Sequence, residues 1–245
     1  AKTNGNKEGS LDAKNKQIHW TINLNYLSKN MTNLVVDDDI LGNQNLVEGS
    51  VKVYHYTVNE KGEIIEVREV NYDAIDIKVE EKEEGKSFKV TFPETINSPY
   101  KIEYSTEFTG ISQTEYKNTA KTNYGDYDAK VKHEDGDKFV FNDGKLANDN
   151  ATVKWTIVLN KSQSTISEIT LTDTLSAGLG LKDDSFRLLD GKGNDVGLDF
   201  NKYFKIEKHP QIIFTDPLVF DIISLKEINE TYTIRYTTDV IKEDI

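Results

Sequence analysis

The stretch IHWTINLN at residues 18–25 returns as VKWTIVLN at residues 153–160, and the chain's two tryptophans hold the same place in both copies. Ile18, Trp20, Ile22 and Leu24 alternate with His19, Thr21, Asn23 and Asn25. That period of two predicts an antiparallel strand with one apolar face and one polar face. Val153, Trp155, Ile157 and Leu159 repeat it. Setting Trp20 on Trp155 fixes an offset of 135 (155 − 20), and neighbouring segments obey it. Gly9 falls on Gly144, Leu11 on Leu146, LVVDDDI (34–40) on ITLTDTL (169–175), Leu46 on Leu181 and Ser50 on Ser185. Farther along, YKIEYST (100–106) matches YTIRYTT (232–238) at an offset of 132, three residues fewer. Such self-similarity predicts two homologous domains, 1–132 and 133–245, that meet in the polar stretch GDYDAKVKHEDGD (125–137).

Other strands are legible in VKVYHYTV, SFKVTF and QIIFTDPLVF, between turn-forming NEKG, EEGK, INSP and DGKGND. No long helical stripe interrupts them. The expected fold is all-β: two tandem immunoglobulin-like sandwiches, with the tryptophans packed between sheets. Tyr54, Tyr56 and Tyr124 are candidates for exposed ligand contact.

Of 245 residues, 36% are hydrophobic and 10% aromatic, enough for a real core. A net charge of −12 and a pI near 4.9 argue against nucleic acid or an anionic membrane as partner. No apolar run reaches the length of about eighteen residues that a membrane helix needs, so the chain reads as soluble or as a fragment without its targeting ends. The absence of cysteine excludes disulfides, thiolate metal sites and cysteine nucleophiles. His19, His55, His133 and His209 are scattered, and the acidic runs at 37–39, 134–137 and 142–150 lack the closing glutamate of a calcium loop. Gly178 and Gly180 do not make a phosphate cradle. No metal or cofactor is expected.

Alternation places Asp38 on the same face as Leu34, Val36 and Ile40, and Asp173 on the face of Ile169, Leu171 and Leu175. A carboxylate turned into a core must be paired or protonated. In EYKNTAKTNY, Tyr116, Asn118, Ala120 and Thr122 alternate inward and add a buried amide, while AKTNGNKEG at the start of the chain supplies lysine. Lys, Asp and Asn together can react. An amine kept neutral by burial attacks the amide carbon, a protonated Asp polarises the carbonyl, and ammonia leaves. The product is an intramolecular isopeptide bond that ties the first strand to the last.

The order of these motifs resembles the collagen-binding-type domains of Gram-positive cell-wall-anchored adhesins. It runs from Lys through Trp20 to Asn25, Asp38 and Tyr100 to Thr106, and ends at Asn118. In the second copy it runs through Trp155 to Asn160, Asp173 and Tyr232 to Thr238. The resemblance implies a variant immunoglobulin fold, an extracellular wall-anchored location and a non-enzymatic role as adhesin or stalk module among neighbouring repeats. It also implies a host matrix protein such as collagen as partner, and a Lys–Asn crosslink promoted by Asp38, with Asp173 as its equivalent. Lys2 is the expected crosslinking lysine, because Lys-Thr at the head of a first strand suits the family, with Lys7 as its rival. In the second domain Asn142 falls opposite Lys7, leaving Lys138 one position off the place of Lys2. The counterpart of Asn118 would be residue 250 (118 + 132), so the second domain is expected to lack the bond or its final strand. The competing class is a carbohydrate-active or calcium-dependent enzyme on a β-sandwich, which would need a paired-carboxylate cleft.

Overall fold

The computed structural model describes residues 3–72, 76–108, 114–211 and 216–241, which fall into two compact units that change over between Glu134 and Asp135. All strand pairings given below are antiparallel.

In the first unit the repeated stretch forms β2 (Gln17–Leu24), flanked by β1 (Gly5–Asp12) and β11 (Tyr100–Phe108). β6 (Lys52–Val58) and β7 (Ile64–Glu69) extend this sheet in the order β1-β2-β11-β6-β7, and β5 (Gln44–Leu46) also pairs with β11. The facing sheet has the order β13-β12-β4-β9-β8, from β4 (Val35–Ile40), β8 (Lys78–Glu81), β9 (Ser87–Thr91), β12 (Glu115–Thr122) and β13 (Tyr127–Lys132). A ribbon of β3 (Met31–Thr32) and β10 (Thr95–Ile96) completes the described strands. One face of each strand is apolar, so the sheets close on a core that includes Ile18, Trp20, Ile22, Val36, Phe88 and Ile102, each at most 1% exposed. Burying a side chain of this size stabilises the fold by roughly 1.5–3 kcal/mol.

The second unit repeats the plan. β15 (Thr152–Leu159) lies between β14 (Val140–Leu146) and β21 (Tyr232–Val240), with β17 (Leu179–Leu181) and β18 (Arg187–Asp190) on the far side of β21. The second sheet, among the described residues, is β16-β20-β19, from β16 (Thr170–Thr174), β19 (Phe204–Lys208) and β20 (Val219–Ser224). Trp20 stands opposite Tyr104, and Trp155 stands opposite Tyr236. Trp20 Nε1 donates to Thr106 Oγ1 at 2.9 Å, and Trp155 Nε1 donates to Thr238 Oγ1 at 3.0 Å.

Two readings of the sequence are corrected, the place of Asn118 and that of the asparagines ending the repeated stretch. The polar stretch at 125–137 contains the changeover between units and also strand β13, with Val131 buried and charged residues turned outward as on an edge strand. Asn118 therefore sits on the penultimate strand of its unit rather than the last. Asn25 and Asn160 are not outward strand residues: each is buried, in the left-handed region at φ 54° and 59°, one position past the end of its strand. Asn25 Nδ2 donates to Lys29 O and Asn160 Nδ2 to Ser164 O, at 2.7 and 2.8 Å, while each Oδ1 accepts the corresponding backbone N–H. The side chain stands in for missing backbone partners in the turn, a role that suits asparagine.

Candidate functional site: a buried Lys-Asp-Tyr-Asn cluster

The inward face of β1 reads Gly5, Lys7, Gly9, a row with almost no apolar bulk. Glycine is needed there: a Cβ on Gly9 would come within 2.7 Å of the Trp20 ring and 2.6 Å of Val131 on β13. Close approach on both sides carries Lys7 into the core, where its side chain is 0% exposed.

Lys7 Nζ lies 2.5 Å from Asp38 Oδ2, and Asp38 is itself fully buried. Tyr104 Oη donates to the same Oδ2 at 3.0 Å and accepts from Asn118 Nδ2 at 2.9 Å. Lys7 and Tyr104 come from one sheet, Asp38 and Asn118 from the other, so the cluster bridges the sandwich. Aromatic walls surround it. The ammonium position is 5.5 Å from the Trp20 ring centre and 5.4 Å from that of Tyr104, and Phe88 packs edge-on to Tyr104 at 4.7 Å.

Electrostatics follow from this dryness. Burial pushes the Asp38 carboxyl up from 3.8 to about 6, against the opposing pull of Lys7, Tyr104 and Asn118. Burial also lowers the Lys7 amine, with Asp38 pulling the other way, and raises the Tyr104 phenol well above its usual range. Both members of the ion pair are driven toward their neutral forms, as expected when desolvation outweighs attraction. Two buried acceptors, Asp38 Oδ1 and Asn118 Oδ1, have no hydrogen-bond partner among the described residues. That is the pattern left where a carboxyl proton is needed.

The expected residues are thus partly assembled. Asp38, Asn118 and the rival lysine, Lys7, come together; Lys2 lies outside the described residues. Tyr104 was not anticipated as a polar member, since an inward tyrosine reads as core. Its signal was the tyrosine shared by YKIEYST and YTIRYTT in the register of both tryptophans.

The second unit holds only part of this set. Tyr236 Oη donates to Asp173 Oδ2 at 2.5 Å, but Asp173 is only half-buried. Asn142 faces Ile157 as Lys7 faces Ile22, so it occupies the lysine's place, on a strand exposed throughout. Lys138 is corrected as a site residue: it is solvent-facing and pairs with Asp135 at 3.1 Å.

A cleft of about 480 Å³ in the first unit is lined by Thr3, Gly5, Asn6, Asn23, Tyr26, Tyr56 and Ile64. Asn23 Nδ2 donates to Asn6 Oδ1 at 2.8 Å. Tyr56, expected to be exposed, is instead buried, and its hydroxyl has no partner among the described residues. Tyr54 is half-buried with Lys101 Nζ 4.8 Å from its ring centre, and Tyr124 is exposed with its hydroxyl bonded to Thr32 O. Asp37 and Asp39 face outward and pair with Lys82, Lys89 and Lys121.

Comparison with known proteins gives a consistent picture. The collagen-binding domain of a Staphylococcus aureus adhesin is 18% identical, covering 54% of this chain and 99% of its own, with a TM-score of 0.45. The collagen-binding subdomain of the Enterococcus faecalis surface protein ACE is 17% identical over 54% of this chain and 99% of its own, with a TM-score of 0.42. The S. aureus collagen adhesin CNA is 14% identical over 99% of this chain and 82% of its own, with a TM-score of 0.30. No curated protein sequence matches the chain. The family described as collagen binding domain matches residues 2–133 and again 137–245. The chain, two tandem β-sandwiches that each match the model, therefore belongs to the collagen binding domain family.

Proposed function

We propose that the chain is a non-enzymatic part of a Gram-positive surface adhesin or stalk, made of domains 1–132 and 133–245, the first locked by an isopeptide bond between Lys7 and Asn118. The observation that carries this reading is the fully buried contact of Lys7 with Asp38, joined through Tyr104 to Asn118. Surface location and the neighbouring repeats follow from the family.

The neutral Lys7 amine attacks Asn118 Cγ. Asp38, protonated at the pH its burial sets, donates through Oδ1 to the carbonyl oxygen as charge develops there. Collapse of the tetrahedral centre expels ammonia and leaves an amide across the two sheets. The reaction happens once per molecule and consumes its own nucleophile, so it is maturation rather than turnover.

The cleft beside Asn6, Asn23 and Tyr56 is the contact we assign to a matrix protein such as collagen. It is lined by the Asn6 and Asn23 amides and the Tyr26 ring, over a Tyr56 that is buried beneath them.

Intact mass under denaturing conditions tests the crosslink. Wild type is expected one ammonia lighter than its sequence, and Lys7→Ala, Asp38→Ala and Asn118→Ala are each expected at full mass. A wild type of full mass sinks the reading. Binding to immobilised triple-helical collagen tests the cleft: Asn6→Ala with Asn23→Ala is expected to weaken it at least tenfold, and a wild type that does not bind is a spacer.

A further inference from the structure

We propose that Tyr104 is the proton relay that turns the Asn118 amide nitrogen into a leaving group. The inference rests on the crosslinking reading above and adds to it the route of one proton. An amide nitrogen leaves as ammonia only if it is protonated as the C–N bond breaks, and the amine that attacks has a proton to lose. The first of these events is at Asn118 Nδ2 and the second at Lys7 Nζ. Lys7 Nζ is 2.5 Å from Asp38 Oδ2; Asn118 Nδ2 is 2.9 Å from Tyr104 Oη; and Oη is 3.0 Å from that same Oδ2. Tyr104 therefore sits between the group that receives the proton and the atom that needs it.

The steps balance. Nζ bonds to Cγ while Asp38 gives its Oδ1 proton to the carbonyl oxygen, leaving Asp38 as carboxylate. Nζ, now cationic, passes a proton to Asp38 Oδ2. In the tetrahedral centre Nδ2 is no longer conjugated and has a lone pair directed to a donor. Tyr104 gives Nδ2 its phenolic proton and takes the one on Oδ2. The C–N bond then breaks with its electron pair on nitrogen, ammonia departs, and the hydroxyl on Cγ returns its proton to Asp38. Tyrosine and aspartic acid end as they began, so no further reactant is needed.

A bond from tyrosine to carboxyl does not by itself imply this role, because Tyr236 makes one to Asp173 in a unit where, among the described residues, Asn142 takes the lysine's place. The contact specific to the first unit is that of Tyr104 with Asn118 Nδ2.

Mass loss after cell-free synthesis of the full chain, sampled over time, reads the rate. Tyr104→Phe keeps the ring and removes the proton, and it is expected to fold and then lose ammonia about a hundredfold or more slowly than wild type. Conversion at the wild-type rate overturns the relay, and Asp38 then delivers the proton directly. If Tyr104→Phe does not fold, 3-fluorotyrosine at position 104 decides the matter. It preserves shape while acidifying the phenol, so a relay is expected to change the rate severalfold and shift its pH profile to lower pH, whereas an unchanged rate and profile overturn it. A wild type that never loses ammonia refutes the crosslink itself, a result distinct from either.

Discussion

A lysine and an aspartate with no exposed surface are held together at a cost, and pH should reveal it. In Asn118→Ala the crosslink cannot form, so the pair stays titratable. Asp38 is raised to about 6 in the folded state, so between roughly 3.8 and 6 the folded protein holds a proton that the unfolded chain has lost. Its contribution to stability is present below the unfolded value and disappears as pH rises through about 6. Lys7 is lowered, so the unfolded chain holds the extra proton on the alkaline side, and stability recovers there as pH rises toward the usual lysine value. Urea midpoints of Asn118→Ala are expected to fall from pH 4 to 6 and to climb again at alkaline pH; in Asn118→Ala/Asp38→Asn the acid-side slope is expected to vanish. Asp38 and Asn118 were legible because each interrupts an apolar period-two row. Lys7 was not, because the row it belongs to is glycine, lysine, glycine, which has no hydrophobic signal to interrupt.

At the scale of the element, β1 is a strand made buriable by absence of side chains. A methyl on Gly9 meets Trp20 and Val131 together, and both are packed from behind. Gly9→Ala is expected to destabilise the first unit by about 1–3 kcal/mol, as overpacking does, measured by chemical denaturation. The corresponding Gly144→Ala is expected to cost less, because Trp155 is only partly buried and has room to shift. Strand β13 shows why charge runs mislead. An edge strand needs only one face covered, and three inward residues, Tyr127, Ala129 and Val131, supply it amid charges that mask the strand in the sequence. The asparagines that end the repeated stretch mislead in the same way, since a left-handed turn residue looks like the next polar letter of a strand.

Across the whole molecule the tandem plan was readable from one offset, because core strands such as β2 and β15 tolerate little change in length, while the three lost residues fall outside them. Chemistry is less evenly distributed. With asparagine in the lysine's place in the second unit, the complete chain is expected to lose one ammonia and not two, as intact mass will show. The bond would close a loop of 112 residues (118 − 7 + 1). A crosslink over that span stabilises by about 4–5 kcal/mol in the chain-entropy account of disulfides. Calorimetry of Asn118→Ala is therefore expected to show the first unit melting lower while the transition of the second stays in place.

The position of Lys7 on the first strand of the first sandwich and Asn118 on its penultimate strand would give the proposed bond a mechanical meaning. With the proposed amide in place, tension entering at residue 7 would pass directly to residue 118, and the 110 residues between (118 − 7 − 1) would carry none of it. At roughly 3.3–3.6 Å per residue, some 360–400 Å of contour is withheld from any pull. The described residues of the second unit offer no such shunt, so a stretched chain is expected to yield there first: a rigid link coupled in series to an extensible one.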